Sequence, residues 1–143
     1  MGESDWPDVL QVLTEAQCRD LIASRDIGRI AFSIGDELEI FPVNYAADGS
    51  VIVFRTAVDG KLRNAVMRRV AFEVDGWDPD TGVGWSVVVK GTAQEVTHGI
   101  DPFAAALRER PVYPLAPGER EEWIAVYPSE VSGRRFHRVL NQI

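Results

Sequence analysis

Alternation of apolar and polar positions dominates the middle of this chain. Across residues 27–34, Ile30 and Phe32 share one face, the period of a half-buried strand. Residues 38–45 and 51–56 are two β-rich runs around Asp48-Gly49, and a glycine there takes the positive φ of a tight hairpin. With Asp48 and Gly49 as the turn, Tyr45 faces Ile52, Val43 faces Phe54 and Phe41 faces Thr56. The other face then pairs Asn44 with Val53 and Pro42 with Arg55. Pro42 has no N–H to give, which puts it at an edge, a bulge or a strand opening. Val70, Phe72 and Val74 alternate with Ala71, Glu73 and Asp75, and Asp78-Pro79-Asp80-Thr81-Gly82 turns the chain into a long strand over 84–96, bent at Gly91.

Helical spacing is confined to three stretches. Thr14 caps a first helix that fades near Arg25 and buries Cys18, Leu21 and Ile22. A second covers 62–69, with Asp59 as its cap and Lys61 in its first turn. Asp101-Pro102 opens a third through Arg110, and Pro111, Pro114 and Pro117 then force an irregular loop. Residues 123–127 and 134–139 read as a closing strand pair around Pro128-Ser129-Glu130. Long bent antiparallel strands joined by tight turns predict a small barrel, in a mainly β fold with some α.

The 143 residues, 45% of them hydrophobic, suit one domain over 1–143, with 1–10 as a mobile N-terminal arm. No apolar run is long enough to span a membrane, and Met1 to Asp8 hold three acids and no basic segment, so a cytoplasmic protein is expected. One cysteine excludes an internal disulfide framework. A net charge of −7 argues against nucleic acid as a partner. The distribution of charge says more. Residues 55–69 carry +4 and residues 131–143 carry +3, which leaves −14 for the remainder. Basic islands in an acidic chain suit a compact anion, or are solvated faces of amphipathic elements.

Familiar catalytic constellations are missing. Cys18 falls on an apolar helical stripe, His98 and His137 lack metal-site spacing, and there is neither a Gly-Lys-Ser/Thr phosphate loop nor a nucleophile elbow. The stretch from Phe54 to Leu62 does assemble the parts of a phosphate site. A strand delivers the guanidinium of Arg55 and the hydroxyl of Thr56, Gly60 lets backbone come close, and Lys61 follows at a helix start. Any chemistry here is expected to come from a cofactor.

The ordered set of Pro42-Val43-Asn44-Tyr45, the Asp-Gly hairpin, Phe54-Arg55-Thr56 and Gly60-Lys61-Leu62 resembles the pyridoxamine 5′-phosphate oxidase-like, FMN-binding split-barrel family. Val70 to Asp75, Trp85 to Gly91, Tyr127-Pro128 and Val131 to Phe136 continue the likeness, which covers roughly residues 13–139. The resemblance implies a six-stranded antiparallel split barrel with flanking helices, paired into a homodimer with FMN in each interfacial cleft. By position, it assigns Arg55, Thr56 and Lys61 to the flavin phosphate, and Pro42, Val43 and Asn44 to the strand beside the ring. Trp85 and Ser86 match positions that reach the flavin from the second subunit, or Trp85 is a plain core or interface aromatic.

The implied activity is flavin-dependent oxidoreduction, with hydride passing through flavin N5 to or from a small-molecule substrate. An F420-dependent reductase, or a flavin- or haem-binding carrier or sensor that turns nothing over, are the alternatives on this fold. Ile40 and Phe41 stand where the vitamin oxidases have a basic residue, which argues against pyridoxamine phosphate as the substrate. A homodimer is also expected on the ground that strand faces such as Val87 and Val89 lack cover from their own chain.

Overall fold

The computed structural model describes residues 10–114 and 121–138. In chain order these form β1 (Gln11–Val12), α1 (Glu15–Ala23), β2 (Ile27–Ile34), β3 (Glu37–Asp48) and β4 (Val51–Ala57). A 3-10 turn (Lys61–Ala65), β5 (Arg69–Asp78), β6 (Val83–Glu95), α2 (Pro102–Leu107) and β7 (Glu121–His137) follow. The arm expected at 1–10 lies outside the described residues apart from Leu10, as does most of the loop after Pro114.

One antiparallel sheet runs β1-β7-β4-β3-β2-β5-β6, and β6 pairs back onto β7. Strands β2 to β7 therefore close a six-stranded ring, the split barrel expected from the sequence. The ring closes because alternating side chains supply one apolar face to fill it: Ile30, Ile52, Phe54, Phe72, Val87, Val89 and Ile124 are all fully buried. Tyr45 meets Phe72 edge-on at 4.8 Å and donates its hydroxyl to the Ile22 carbonyl at 2.5 Å, fastening α1 to the barrel. That helix starts in a capping box. The Thr14 hydroxyl accepts from the Gln17 N–H at 3.2 Å, and the Gln17 side chain accepts from the Thr14 N–H at 2.8 Å. A smaller apolar cluster of Val53, Val96, Ala104, Leu107 and Ala125 lies where α2 covers the outside of β4 and β7. Among the described residues no helix is long and apolar enough to cross a membrane.

Several expectations need correction. The hairpin turns on Gly49-Ser50, so Tyr45 pairs with Phe54 and Ala47 with Ile52. Gly49, at φ 60°, takes the first central position, the usual place for glycine in a type II′ turn. Partners thus slip by two residues, and because the period is two, each side chain keeps its face.

The 62–69 helix is only a 3-10 turn, capped by Gly60 rather than Asp59 and with no side-chain cap bond. It ends early because β6 captures the chain: Val66 bridges Ala93, and the Met67 N–H donates to the Ala93 carbonyl at 2.7 Å. Met67 adopts φ 69° to make that exit.

The closing pair around Pro128 is a single strand, Glu121–His137. Pro128 sits opposite Gly91 at a register shift between β6 and β7, the kind of site that tolerates a missing N–H. A Cβ on Gly91 would come within 2.8 Å of the Tyr127 carbonyl carbon and 3.1 Å of the Pro128 Cα. Finally, Val87 and Val89 are buried by their own chain. On the sheet, Leu38 and Ile40 of β3 are instead among the exposed apolar residues, 84% and 66% exposed.

Candidate functional site

Strand β3 pairs with β2 from Glu37 to Asn44 but with β4 only from Tyr45 to Asp48. Beyond Tyr45 and Phe54 the two strands part, because β4 continues along β7 as far as the Ala57–Glu121 pair while β3 stays with β2. Pro42 falls in the divergent part, where its missing N–H costs no ladder bond on that side. The seam so opened holds a cleft of about 270 Å³.

Phe41, Pro42, Val43 and Asn44 form one wall of the cleft, and Arg55, Thr56 and Ala57 the other. Gly60, Lys61 and Leu62 close one end, with Pro114 alongside. Alternation places Val43 and Thr56 toward the core and Pro42, Asn44 and Arg55 toward the outside, so the cleft runs through the barrel wall. Its lining is mostly apolar with a few converging polar groups, the usual makeup of a small-molecule site.

Each polar group has a distinct environment. The Arg55 guanidinium lies 5.2 Å from the Trp123 ring centre, donates to the Val112 carbonyl at 3.2 Å and pairs with Glu121. Its Nε is buried with no hydrogen-bond partner among the described residues. Thr56 is 5% exposed, and its hydroxyl makes only a long 3.4 Å contact to the Ala57 carbonyl. Lys61 is exposed at the start of the 3-10 turn and has no carboxylate partner among the described residues. Two residues on, Arg63 is paired with Glu122 at 3.2 Å. The Asn44 side chain is a brace: its amide donates to the Asp26 carbonyl at 3.1 Å and its oxygen accepts from the Tyr113 N–H at 2.6 Å.

Six of the eight expected site residues, Pro42, Val43, Asn44, Arg55, Thr56 and Lys61, thus meet around one cleft. Trp85 and Ser86 do not line it. Trp85 packs inside the barrel end beneath the Arg25 guanidinium, 5.3 Å from its ring centre, and Ser86 lies between Asp75 and Arg134 in the sheet. The sequence reading missed Pro114 and, more consequentially, Glu121 and Glu122. No local pattern marks those acids as partners of arginines some sixty residues earlier; only the β4–β7 register brings them together.

Beside Pro42, Arg29 of β2 is its direct cross-strand neighbour and pairs on its other side with Glu73 at 2.9 Å and Asp75 at 2.7 Å. Burial, then a hydrogen bond with Asp75, raises the Glu73 carboxyl above its ordinary range. The same hydrogen bond, and then Arg29, hold Asp75 below its own. A second, shallower groove of about 490 Å³ lies on the outer face over Ala31, Leu38, Ile40 and Ala71, with Arg69 and Lys90 among its lining. It lacks the convergent donors of the seam.

Residues 14–135 match the family model described as pyridoxamine 5′-phosphate oxidase. The uncharacterized protein Rv0080 of Mycobacterium tuberculosis is 35% identical over 122 residues, which span 81% of this chain and 78% of the relative. An FAD binding protein from Mycobacterium smegmatis superposes with a TM-score of 0.76 at 32% identity, over 89% of this chain and all of that one. A conserved protein of unknown function from Corynebacterium diphtheriae gives 0.73 at 32% identity, over 90% of this chain and 99% of its own.

Proposed function

The chain belongs to the pyridoxamine 5′-phosphate oxidase family, and from that premise we propose that its seam cleft binds a flavin nucleotide for oxidoreduction of a small-molecule substrate. The observation that carries this reading is the meeting of Arg55, Thr56 and Lys61 with the Pro42–Asn44 wall at one opening in the barrel. The residues fit such a group. Arg55 keeps a buried Nε without a partner, Thr56 keeps a nearly free hydroxyl, and Lys61 adds a cation, a donor set suited to phosphate. Phe41, Val43 and Leu62 supply the apolar surface that a flat ring needs. A flavin bound there supplies hydride chemistry at its ring nitrogen N5. The protein's share is to anchor the phosphate end, to hold the Pro42–Asn44 backbone rigid through the Asn44 brace, and to keep water from the apolar wall.

The cleft of about 270 Å³ falls just below the ~300–1,000 Å³ of complete small-molecule sites. We propose that a second copy of the chain covers the remainder, docking on the outer sheet face where Leu38 and Ile40 are exposed. Sedimentation of the wild-type chain and of a double variant, Leu38→Glu with Ile40→Glu, tests the pairing. A dimer converted to a folded monomer is expected, and a wild-type monomer at micromolar concentration refutes it.

Titration with FMN, FAD and riboflavin, followed by flavin fluorescence and the visible spectrum, tests the cofactor reading. One phosphorylated flavin per chain is expected, with riboflavin bound much more weakly. A Soret band from the purified protein, saturation by the deazaflavin F420 alone, or no flavin binding overturns it.

A further inference from the structure

The β3–β4 ladder stops after Tyr45 and Phe54, and one further step of the same register puts Asn44 opposite Arg55. These two residues make no ladder pair. Both side chains instead grip a single peptide unit, the one joining Val112 to Tyr113. The Arg55 Nη1 donates to its carbonyl at 3.2 Å, and the Asn44 Oδ1 accepts from its N–H at 2.6 Å. The Asn44 amide is oriented from behind, because its Nδ2 donates to the Asp26 carbonyl at 3.1 Å. Turned over, it would set oxygen against oxygen and N–H against N–H. The gripped peptide is itself held. The Val112 side chain is 2% exposed, Pro111 and Pro114 restrict the backbone on either side, and Arg110 pairs with Asp48 at 3.3 Å. This clasp sits at the fork where the cleft begins, and Val43, Thr56 and Pro114 line the cleft just beyond it.

We propose that Asn44 is a positioning residue for the phosphate end of the ligand, acting on Arg55 through the Val112–Tyr113 peptide. The inference rests on the flavin reading above. Arginine is long and flexible, and a guanidinium left loose must be immobilised when a phosphate arrives, which subtracts from affinity. Here one Nη is held by Val112 and the other by Glu121. The hold at Val112 is only as firm as the peptide that supplies it. Because the carbonyl and the N–H share one rigid plane, Asn44, by fixing the N–H, fixes the direction of the carbonyl. Donation by Arg55 polarises the same peptide and makes its N–H a better donor to Asn44. Each grip thus strengthens the other. A guanidinium has several N–H groups, so it meets a phosphate without releasing the Val112 carbonyl. The coupling is reciprocal: a phosphate that steadies Arg55 steadies the Tyr113 N–H in turn.

FMN and riboflavin differ only in the phosphate, and both are titrated into the unmodified chain, Asn44→Ala, Arg55→Met and the double variant. Asn44→Ala is expected to weaken FMN by about two- to tenfold, the range for one long side chain immobilised on binding, and to leave riboflavin unchanged. In the Arg55→Met background the same substitution is expected to change neither affinity. Equal weakening of both flavins would mean that Asn44 merely supports the ring-side wall. An undiminished effect without Arg55 would mean that it acts on the ligand directly. Either result overturns the proposal, as does the absence of any effect. Hydrogen exchange at the Tyr113 amide of the unmodified chain needs no variant and decides the matter even if Asn44→Ala does not fold. Saturating FMN is expected to slow that exchange more than saturating riboflavin, and equal slowing or none overturns the proposal. Failure of FMN to bind the unmodified chain refutes the flavin reading and this proposal with it, whereas the other negative results leave that reading standing.

Discussion

Two walls of the barrel are built on opposite plans. Strands β6 and β7 pair along the whole of Val83–Glu95, interrupted only by the bulge at Gly91, and between them bury Val87, Val89, Ile124 and Val126. Strands β3 and β4 pair for four residues beside their turn and then separate. The first wall commits its backbone to the ladder. In the second, backbone and side-chain groups are left facing a cleft, and cohesion comes from elsewhere: the Asn44 brace, the Arg55–Glu121 pair and the β4–β7 ladder. Cohesion and ligand room are thus divided between two seams of one small ring, joined by the β4–β7 ladder.

The division is most exposed to a change in the closed wall. Gly91→Ala thrusts a Cβ into the Tyr127 and Pro128 backbone, where no side-chain rotation relieves the clash, and a loss of about 3 kcal/mol is expected in urea unfolding. A loss below about 1 kcal/mol would show that this wall yields as readily as the seam. In the open wall the effect should be on binding alone. Lys61→Ala removes an exposed side chain with no described ion pair, so the melting temperature should stay within about 2 °C. FMN or FAD affinity should fall about tenfold while riboflavin's is kept, and equal weakening of both would refute the phosphate role. Adding Arg55→Ala should deepen the binding loss but also cost stability, since the chain loses the Val112 and Glu121 contacts.

The smallest effect lies at the boundary between the walls, where Arg29 joins Pro42 to Glu73 and Asp75. Arg29→Met should cost about 0.5–1 kcal/mol at pH 7, little because all three side chains are partly solvated. Asp75, held low, contributes stability above the ordinary carboxylate range and loses it as pH falls; Glu73, held high, does the reverse. Without Arg29 the two carboxylates repel only when ionised, so the cost should shrink toward pH 4. A cost that stays constant with pH would mean that Arg29 acts through packing of its stem.

Local patterns in the sequence made most of the fold legible. The strands at 27–34, 70–75 and 84–96, the Thr14 and Asp101 caps and the bend at Gly91 all follow from neighbours within a few residues. Errors fell where a distant strand decides the outcome. The 62–69 helix gave way to capture by Ala93, and Pro128, a turn signal on its own, is accommodated in a strand because Gly91 lies across from it. The candidate site was legible to the same depth. Its cations lie close together in sequence, so the cleft residues could be named, but the acids that cancel two of them come from β7 and carry no local mark. The exposed sheet face was misplaced for a related reason: Val87 and Leu38 look alike in sequence, and only ring closure decides which one is enclosed.

Strand β7 has a consequence for how the chain reaches its shape. It is paired to β6 along one edge and to β4 and then β1 along the other, so it is the stave that closes the ring. Every pairing it makes except that with β6 joins residues more than sixty positions apart, and even β6 lies some thirty to fifty residues away. Loop closure on that scale is slow, and the earlier hairpins must wait with the edges of β4 and β6 bare. During synthesis those edges are open to neighbouring chains until β7 emerges. Refolding is therefore expected to be rate-limited by docking of β7, and concentration during refolding, more than final stability, will set the yield of native protein.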